Sequence, residues 1–178
     1  MNFADIILLI LIAGFAMFGF WFGLIHTFGS LVGTLLGAFL AGIVYAPMGN
    51  WLVGITGWGQ NISYVVMFVI VFVFVNRMVG FGFWIIEKST DIVTKMPFIQ
   101  SMTRFFGTLL GIFEGLITVG LVLLFIEVFP LSSVTMAAIE DSWVAPIVEN
   151  TAGMIWPLMP DALDSINNSI DAIQDNLL

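Results

Sequence analysis

Between Ile6 and Asn76 the chain carries no Asp, Glu, Lys or Arg, a stretch of roughly seventy residues. One helical span needs only about 20 apolar residues, so this stretch must fold as several. Proline marks the divisions, because it costs about 3 kcal/mol inside a helix and collects at helix ends. Pro47, Pro97, Pro130, Pro146, Pro157 and Pro160 all fall between apolar runs, which occupy about 5–24, 28–46, 62–86 and 104–129. The runs are apolar at every position rather than alternating, which excludes transmembrane β-strands. The first run follows Asp5 with no basic residue before it, unlike a secretory signal peptide. The pattern predicts an all-α membrane protein, with four transmembrane helices over 1–130 and an acidic extracytoplasmic tail over 131–178.

In the tail, Leu163, Ile166, Ile170, Ile173 and Leu177 keep 3-4 spacing among Asp164, Asp171 and Asp175, after a start at Pro160-Asp161. A short amphipathic C-terminal helix is expected there. Anionic lipid would repel its acids. That leaves three roles: capping the helix bundle, contacting a periplasmic partner, or staying partly unfolded.

Composition agrees with lipid as the solvent. Hydrophobic residues make up 60% and charged residues 9%, where a soluble domain would carry about 25% charged. The mean hydropathy is +1.11. Four Lys and Arg against twelve Asp and Glu exclude a nucleic-acid binder, which needs a basic face for phosphate. The absence of cysteine removes disulfides and thiolate chemistry.

The few cations set an orientation. Lys88, Lys95 and Arg104 lie in the connection between the third and fourth helices, with Arg77 just inside the third. The positive-inside rule puts that connection in the cytoplasm and both termini outside. Trp21 and Trp84 then mark the inner interface, and Trp51, Trp58 and Trp143 the outer one.

Two motifs recur in order. Phe18-Gly19-Phe20-Trp21 returns as Phe81-Gly82-Phe83-Trp84, and Gly33-Thr34-Leu35-Leu36-Gly37-Ala38-Phe39 returns as Gly107-Thr108-Leu109-Leu110-Gly111-Ile112-Phe113. The four helices therefore read as two repeated hairpins about an axis along the membrane normal. Gly29, Gly33 and Gly37 stand four apart on the second helix, as Gly107, Gly111 and Gly115 do on the fourth. Lipid gives helices no hydrophobic reason to associate, so close backbone approach at such stripes holds them together. The stripes serve either packing within one chain or a dimer seam or pore-lining face.

Few side chains carry chemistry. Counted inward at about 1.5 Å per residue, Arg77 lies roughly 10 Å from Trp84 and Glu114 roughly 14 Å from Phe105. A lone Arg at mid-span costs about 2.5–3.5 kcal/mol on insertion scales. Arg77 and Glu114 are therefore a candidate intramembrane ion pair. The alternative is that Arg77 reaches the inner interface along its own stem while Glu114 stays protonated. His26 falls in the short turn between the first two helices, without the His, Cys or carboxylate neighbours that a metal site or triad requires. Asp5 and Glu127 sit near outer helix ends, where a carboxylate can remain solvated. The ten methionines are scattered and read as packing. No catalytic residue, metal or cofactor is expected, and the chain reads as a non-enzyme.

The residues resemble a known family. Asp5-Ile6-Ile7-Leu8 opens the first helix, and Gly19-Phe20-Trp21-Phe22-Gly23-Leu24-Ile25 follows as a glycine-punctuated turn region. Phe28-Gly29-Ser30-Leu31-Val32-Gly33 enters the second helix, and Met96-Pro97-Phe98-Ile99 leads into Arg104-Phe105-Phe106-Gly107-Thr108-Leu109-Leu110-Gly111. In order and spacing these are similar to the colicin V production protein family, over about residues 2–130. The resemblance implies four transmembrane helices in the bacterial inner membrane and a role in producing or exporting colicin V. Some relatives carry an extracytoplasmic serine protease after the same helices, which implies an outside C-terminus. Relatives commonly carry bases in the first inner turn, where this chain has Phe20, Trp21 and Phe22, and another where it has Glu114. Two functions are expected from this reading. One is a non-enzymatic scaffold or accessory factor of the envelope; the other is an oligomeric channel or transporter subunit for a small solute. Its partners would be the lipid bilayer, further copies of itself, or other membrane or periplasmic proteins.

Overall fold

The computed structural model describes residues 2–89 and 97–155. They form α1 (Phe3–Thr56), α2 (Gln60–Ser89), α3 (Pro97–Val128), α4 (Ser133–Glu140) and α5 (Ala145–Gly153). Lys95 and the apolar series at 163–177 lie outside the described residues. Three stretches, Phe3–Thr56, Gln60–Phe83 and Ser101–Val128, are long and apolar enough to cross a membrane.

α1 is not a single rod. Its 54 residues would reach about 80 Å if straight, against a hydrocarbon core of about 30 Å. The break is at Gly23, where φ is 81° and ψ −177°, a region that side chains with a Cβ avoid. Contacts with α3 show what the break does. In the first limb (3–22), Gly19 meets Gly107 while Phe15 and Ile12 face Gly111 and Gly115, so this limb runs antiparallel to α3. In the second limb (24–56), Ser30 bonds Glu114 and Tyr45 packs edge-on against Phe125, so this limb runs parallel to α3. The chain therefore reverses direction at one glycine. His26, expected in a turn, instead lies in the first turn of the second limb.

Pro47 was expected to end the second limb and does not. The helix continues to Thr56 and stops at Gly57, whose φ is 71° and whose N–H bonds the Val53 carbonyl at 2.9 Å. Packing outweighs the lost backbone bond: Gly49 seats the Tyr64 ring of α2, and Tyr64 donates to Asn50 Oδ1 at 2.9 Å. α2 runs back along this limb, placing Phe83, Asn76, Phe72 and Tyr64 opposite Gly29, Gly33, Gly37 and Gly49. α2 and α3 meet through rings, with Phe68 stacked on Phe125 at 4.1 Å and Tyr64 edge-on to Phe129 at 5.2 Å. In lipid this interlocking of rings and glycines supplies the dispersion that holds helices together.

The segment after Pro130 folds as well. Ser132 caps α4, accepting from the Thr135 N–H at 3.1 Å. α5 lies back on α3, where Gly120 admits the Val148 carbonyl and the Ala152 side chain. Val144, Ala145 and Val148 join Leu8, Val119 and Leu123 in one buried cluster.

Candidate functional site

Polar side chains from three elements converge at the level of Ile12 and Phe15, halfway along the first limb. Glu114, next to Gly115 on α3, is only 3% exposed. Its Oε1 accepts from Ser30 Oγ at 2.5 Å and from Thr34 Oγ1 at 3.5 Å. Ser30 and Thr34 are one helical turn apart and therefore share a face of the second limb. Gly33 lies on the neighbouring strip of that face. A Cβ there would stand 3.0 Å from the Asn76 carbonyl, so its absence lets α2 approach. That approach brings the Asn76 amide onto Thr34 Oγ1 at 2.9 Å, while Ser30 Oγ stands 3.3 Å from Asn76 Oδ1.

The cluster borders a cavity of about 320 Å³ between the first limb, the second limb and α2. Ile10, Leu11, Phe15 and Phe18 form its apolar wall, and His26, Asn76, Arg77, Glu114 and Thr118 its polar one. A second cavity of about 450 Å³ shares Phe18, His26, Ser30, Asn76 and Arg77 with the first, and extends to Phe22, Gly80 and Phe81 toward the Gly23 end. Together they make one continuous recess lined by both polar and apolar side chains.

Arg77 and Glu114 share this cavity without touching. The guanidinium lies 5.1 Å from the centroid of the Phe18 ring, a cation–π arrangement. The carboxylate is held by Ser30 and Thr34 instead, and the α2 residue in their network is Asn76. The His26 ring stacks near Phe22 at 4.6 Å, and its buried Nδ1 has no hydrogen-bond partner among the described residues. Thr118 Oγ1, one turn along α3 from Glu114, is likewise buried and unpartnered among them.

The six striped glycines all face other helices of the same chain. Gly29, Gly33 and Gly37 seat α2, and Gly107, Gly111 and Gly115 seat the first limb. Gly19, Gly49 and Gly120 make approaches as close, and their sequence spacing did not single them out. Ser30, Thr34 and Asn76 were also missed as site residues. The signal available for Ser30 and Thr34 was their place on the glycine face.

A second buried carboxylate closes the other end of the first limb. Asp5 was expected to stay solvated, yet it is 0% exposed. It forms a capping box with Asn2: its N–H donates to Asn2 Oδ1 at 2.9 Å, and its Oδ2 accepts from the Asn2 N–H at 2.7 Å. Its Oδ1 accepts from Ser142 Oγ at 2.6 Å, the Trp143 N–H at 3.1 Å and the Val144 N–H at 3.5 Å. The junction between α4 and α5 folds over this carboxylate and removes it from solvent. Glu127 is exposed.

Among curated proteins and solved structures nothing matches the chain. The Colicin V production protein family does match, over residues 4–153. The resemblance read from the motifs stopped near residue 130, because α4 and α5 carry no motif that could be read; the family match runs through both. With all of the three long apolar helices but the first residue of α1, and both short ones, inside that match, the chain is a membrane protein belonging to the Colicin V production protein family.

Proposed function

We propose that this chain is a multi-pass protein of the bacterial inner membrane that supports colicin V production or export as a non-enzymatic accessory or scaffold factor. The observation that carries this reading is the family match over residues 4–153. The opposed limbs of α1, followed by α2 and α3, supply four spans. The first limb, at about 30 Å for its 20 residues, fits a bilayer core closely. The two limbs of α1 make one hairpin and α2 with α3 the other, in keeping with the repeated motifs. Lys88 in the last turn of α2, Lys95 between the helices and Arg104 in the second turn of α3 favour a cytoplasmic connection, with both termini outside. Partners are the bilayer and further membrane or periplasmic proteins, including copies of this chain.

The accessory role is tested in a colicin V-producing host that lacks its own family member. Expression of this chain is expected to restore secretion of active toxin. A chain that inserts well and restores nothing would overturn the reading. For topology, a cysteine at Gly59 should react with an impermeant maleimide in intact spheroplasts and one at Met102 only after permeabilisation; the reverse pattern contradicts the orientation.

A second reading, a channel or transporter subunit, is favoured by one observation: the polar cavity at mid-depth beside Glu114. Intramembrane ionisable groups that face cavities mark solute or proton pathways in other membrane proteins.

A further inference from the structure

The two oxygens of Glu114 have different surroundings. Oε1 accepts from both Ser30 and Thr34, with the Asn76 amide as a weaker third donor to the carboxyl, whereas Oε2 has none of the short hydroxyl bonds that hold Oε1. A carboxylate offers about four acceptor sites, and a buried charge persists only when it is paired and its lone pairs are met. Among the described residues no cation lies within ion-pair reach; Arg77 sits over Phe18 instead. A neutral acid fits this pattern, with Oε1 as its carbonyl oxygen and the proton on Oε2. The unpartnered Thr118 hydroxyl borders the same cavity one turn away.

The charged and titratable groups that face Glu114 across the cavity are Arg77 from α2 and His26 from the second limb; the first limb contributes only apolar residues and glycines to the wall. The adjoining recess, which Arg77 and His26 also line, leads toward the Gly23 end. We propose that Glu114 is a proton-binding site of this cavity, resting as the neutral acid and exchanging its proton with water that enters past His26 and Arg77. When the proton leaves for that water, the new carboxylate faces the Arg77 guanidinium across the cavity. The accessory role neither requires this site nor falls with it.

Dicyclohexylcarbodiimide tests the proposal on the full-length protein in liposomes. The reagent enters from lipid, and one of its nitrogens takes the acid proton while a carboxyl oxygen bonds to its central carbon. An O-to-N acyl shift then fixes the whole reagent as an N-acylurea, with nothing leaving. Peptide mass spectrometry is expected to find the adduct on Glu114 and not on Asp5, whose two oxygens both accept donors. Above the ionisation of Glu114 the initial rate should fall about tenfold per pH unit, as its protonated fraction does. Glu114→Gln should abolish the adduct. The absence of any Glu114 adduct in folded wild-type protein at acidic pH would overturn the proposal, as would an adduct formed equally on Asp5.

Discussion

Asp5 and Glu114 are almost equally buried, at 0% and 3% exposure, yet their surroundings differ in kind. Asp5 receives donors on both oxygens, three of them backbone N–H groups, and stands at a helix N-terminus where the macrodipole favours negative charge. Such a site holds a carboxylate by completing its hydrogen bonds, and spends it on tying α1 to the α4–α5 junction. Glu114 receives two hydroxyl donors on one oxygen and the Asn76 amide as a weaker third, with no backbone N–H, beside a cavity. Burial alone therefore does not say what a carboxylate is for. The number and placement of its donors, and the space beside it, do.

The largest effect is expected at the clamp. Asp5→Ala strands the Ser142 hydroxyl proton and the Trp143 N–H, leaves the Val144 N–H only Ser142 Oγ, and removes the capping box. Each stranded buried donor costs about 1–3 kcal/mol, so the loss should reach about 3 kcal/mol or more. Thermal unfolding in detergent would record it, and limited proteolysis should open the 130–145 region. An unchanged proteolytic pattern would argue that the clamp is incidental.

Next come the glycines that set the walls around Glu114. A methyl at Gly111 would fall on the Phe15 carbonyl, which is backbone and cannot swing away. Gly111→Ala should cost about 1–3 kcal/mol, as overpacking does. Gly82 has open space where its Cβ would be. Gly82→Ala should therefore stabilise, by up to about 1 kcal/mol of helix propensity. Equal effects at the two sites would contradict the packing described.

Glu149 on α5 is a carboxyl between the two extremes. Partial burial, and then the nearness of Glu127, push it above the usual carboxylate range, and its Oε1 has no partner among the described residues. An acid bound more tightly to its proton in the folded state loses stability as pH rises from its ordinary value through its raised one. Glu149→Gln should remove that decline and raise Tm by about 1–3 °C at neutral pH. A lower Tm would show that the charge is favourable there.

The smallest effect on stability is expected at Glu114. Glu114→Gln keeps an oxygen for Ser30 and Thr34 and replaces one neutral group by another, so it should change stability by less than about 1 kcal/mol. A loss like that of Asp5→Ala would mean that Glu114 is an ionised structural group.

Much of this was legible in the sequence. Long apolar runs located the three long helices α1, α2 and α3, and a carboxylate within such a run singled out Glu114. What lay beyond reach was geometry between helices. Depth arithmetic put Arg77 and Glu114 at similar levels, but each residue turns about 100° around a helix. That one step made Asn76, not Arg77, the α2 member of the network. Gly23 was one glycine among several until its φ of 81° distinguished it. Asp5 looked solvated because its cover, Ser142 to Val144, is more than 130 residues away in the chain.

The contrast between the two carboxyls has a direct spectroscopic test. Infrared spectra of the reconstituted protein at neutral pH resolve the C=O stretch of a protonated carboxylic acid from the carboxylate bands. A neutral Glu114 predicts a protonated-acid band in the wild type that disappears in Glu114→Gln and persists in Asp5→Asn. A spectrum with no such band, or one whose band survives Glu114→Gln and vanishes in Asp5→Asn, would contradict it.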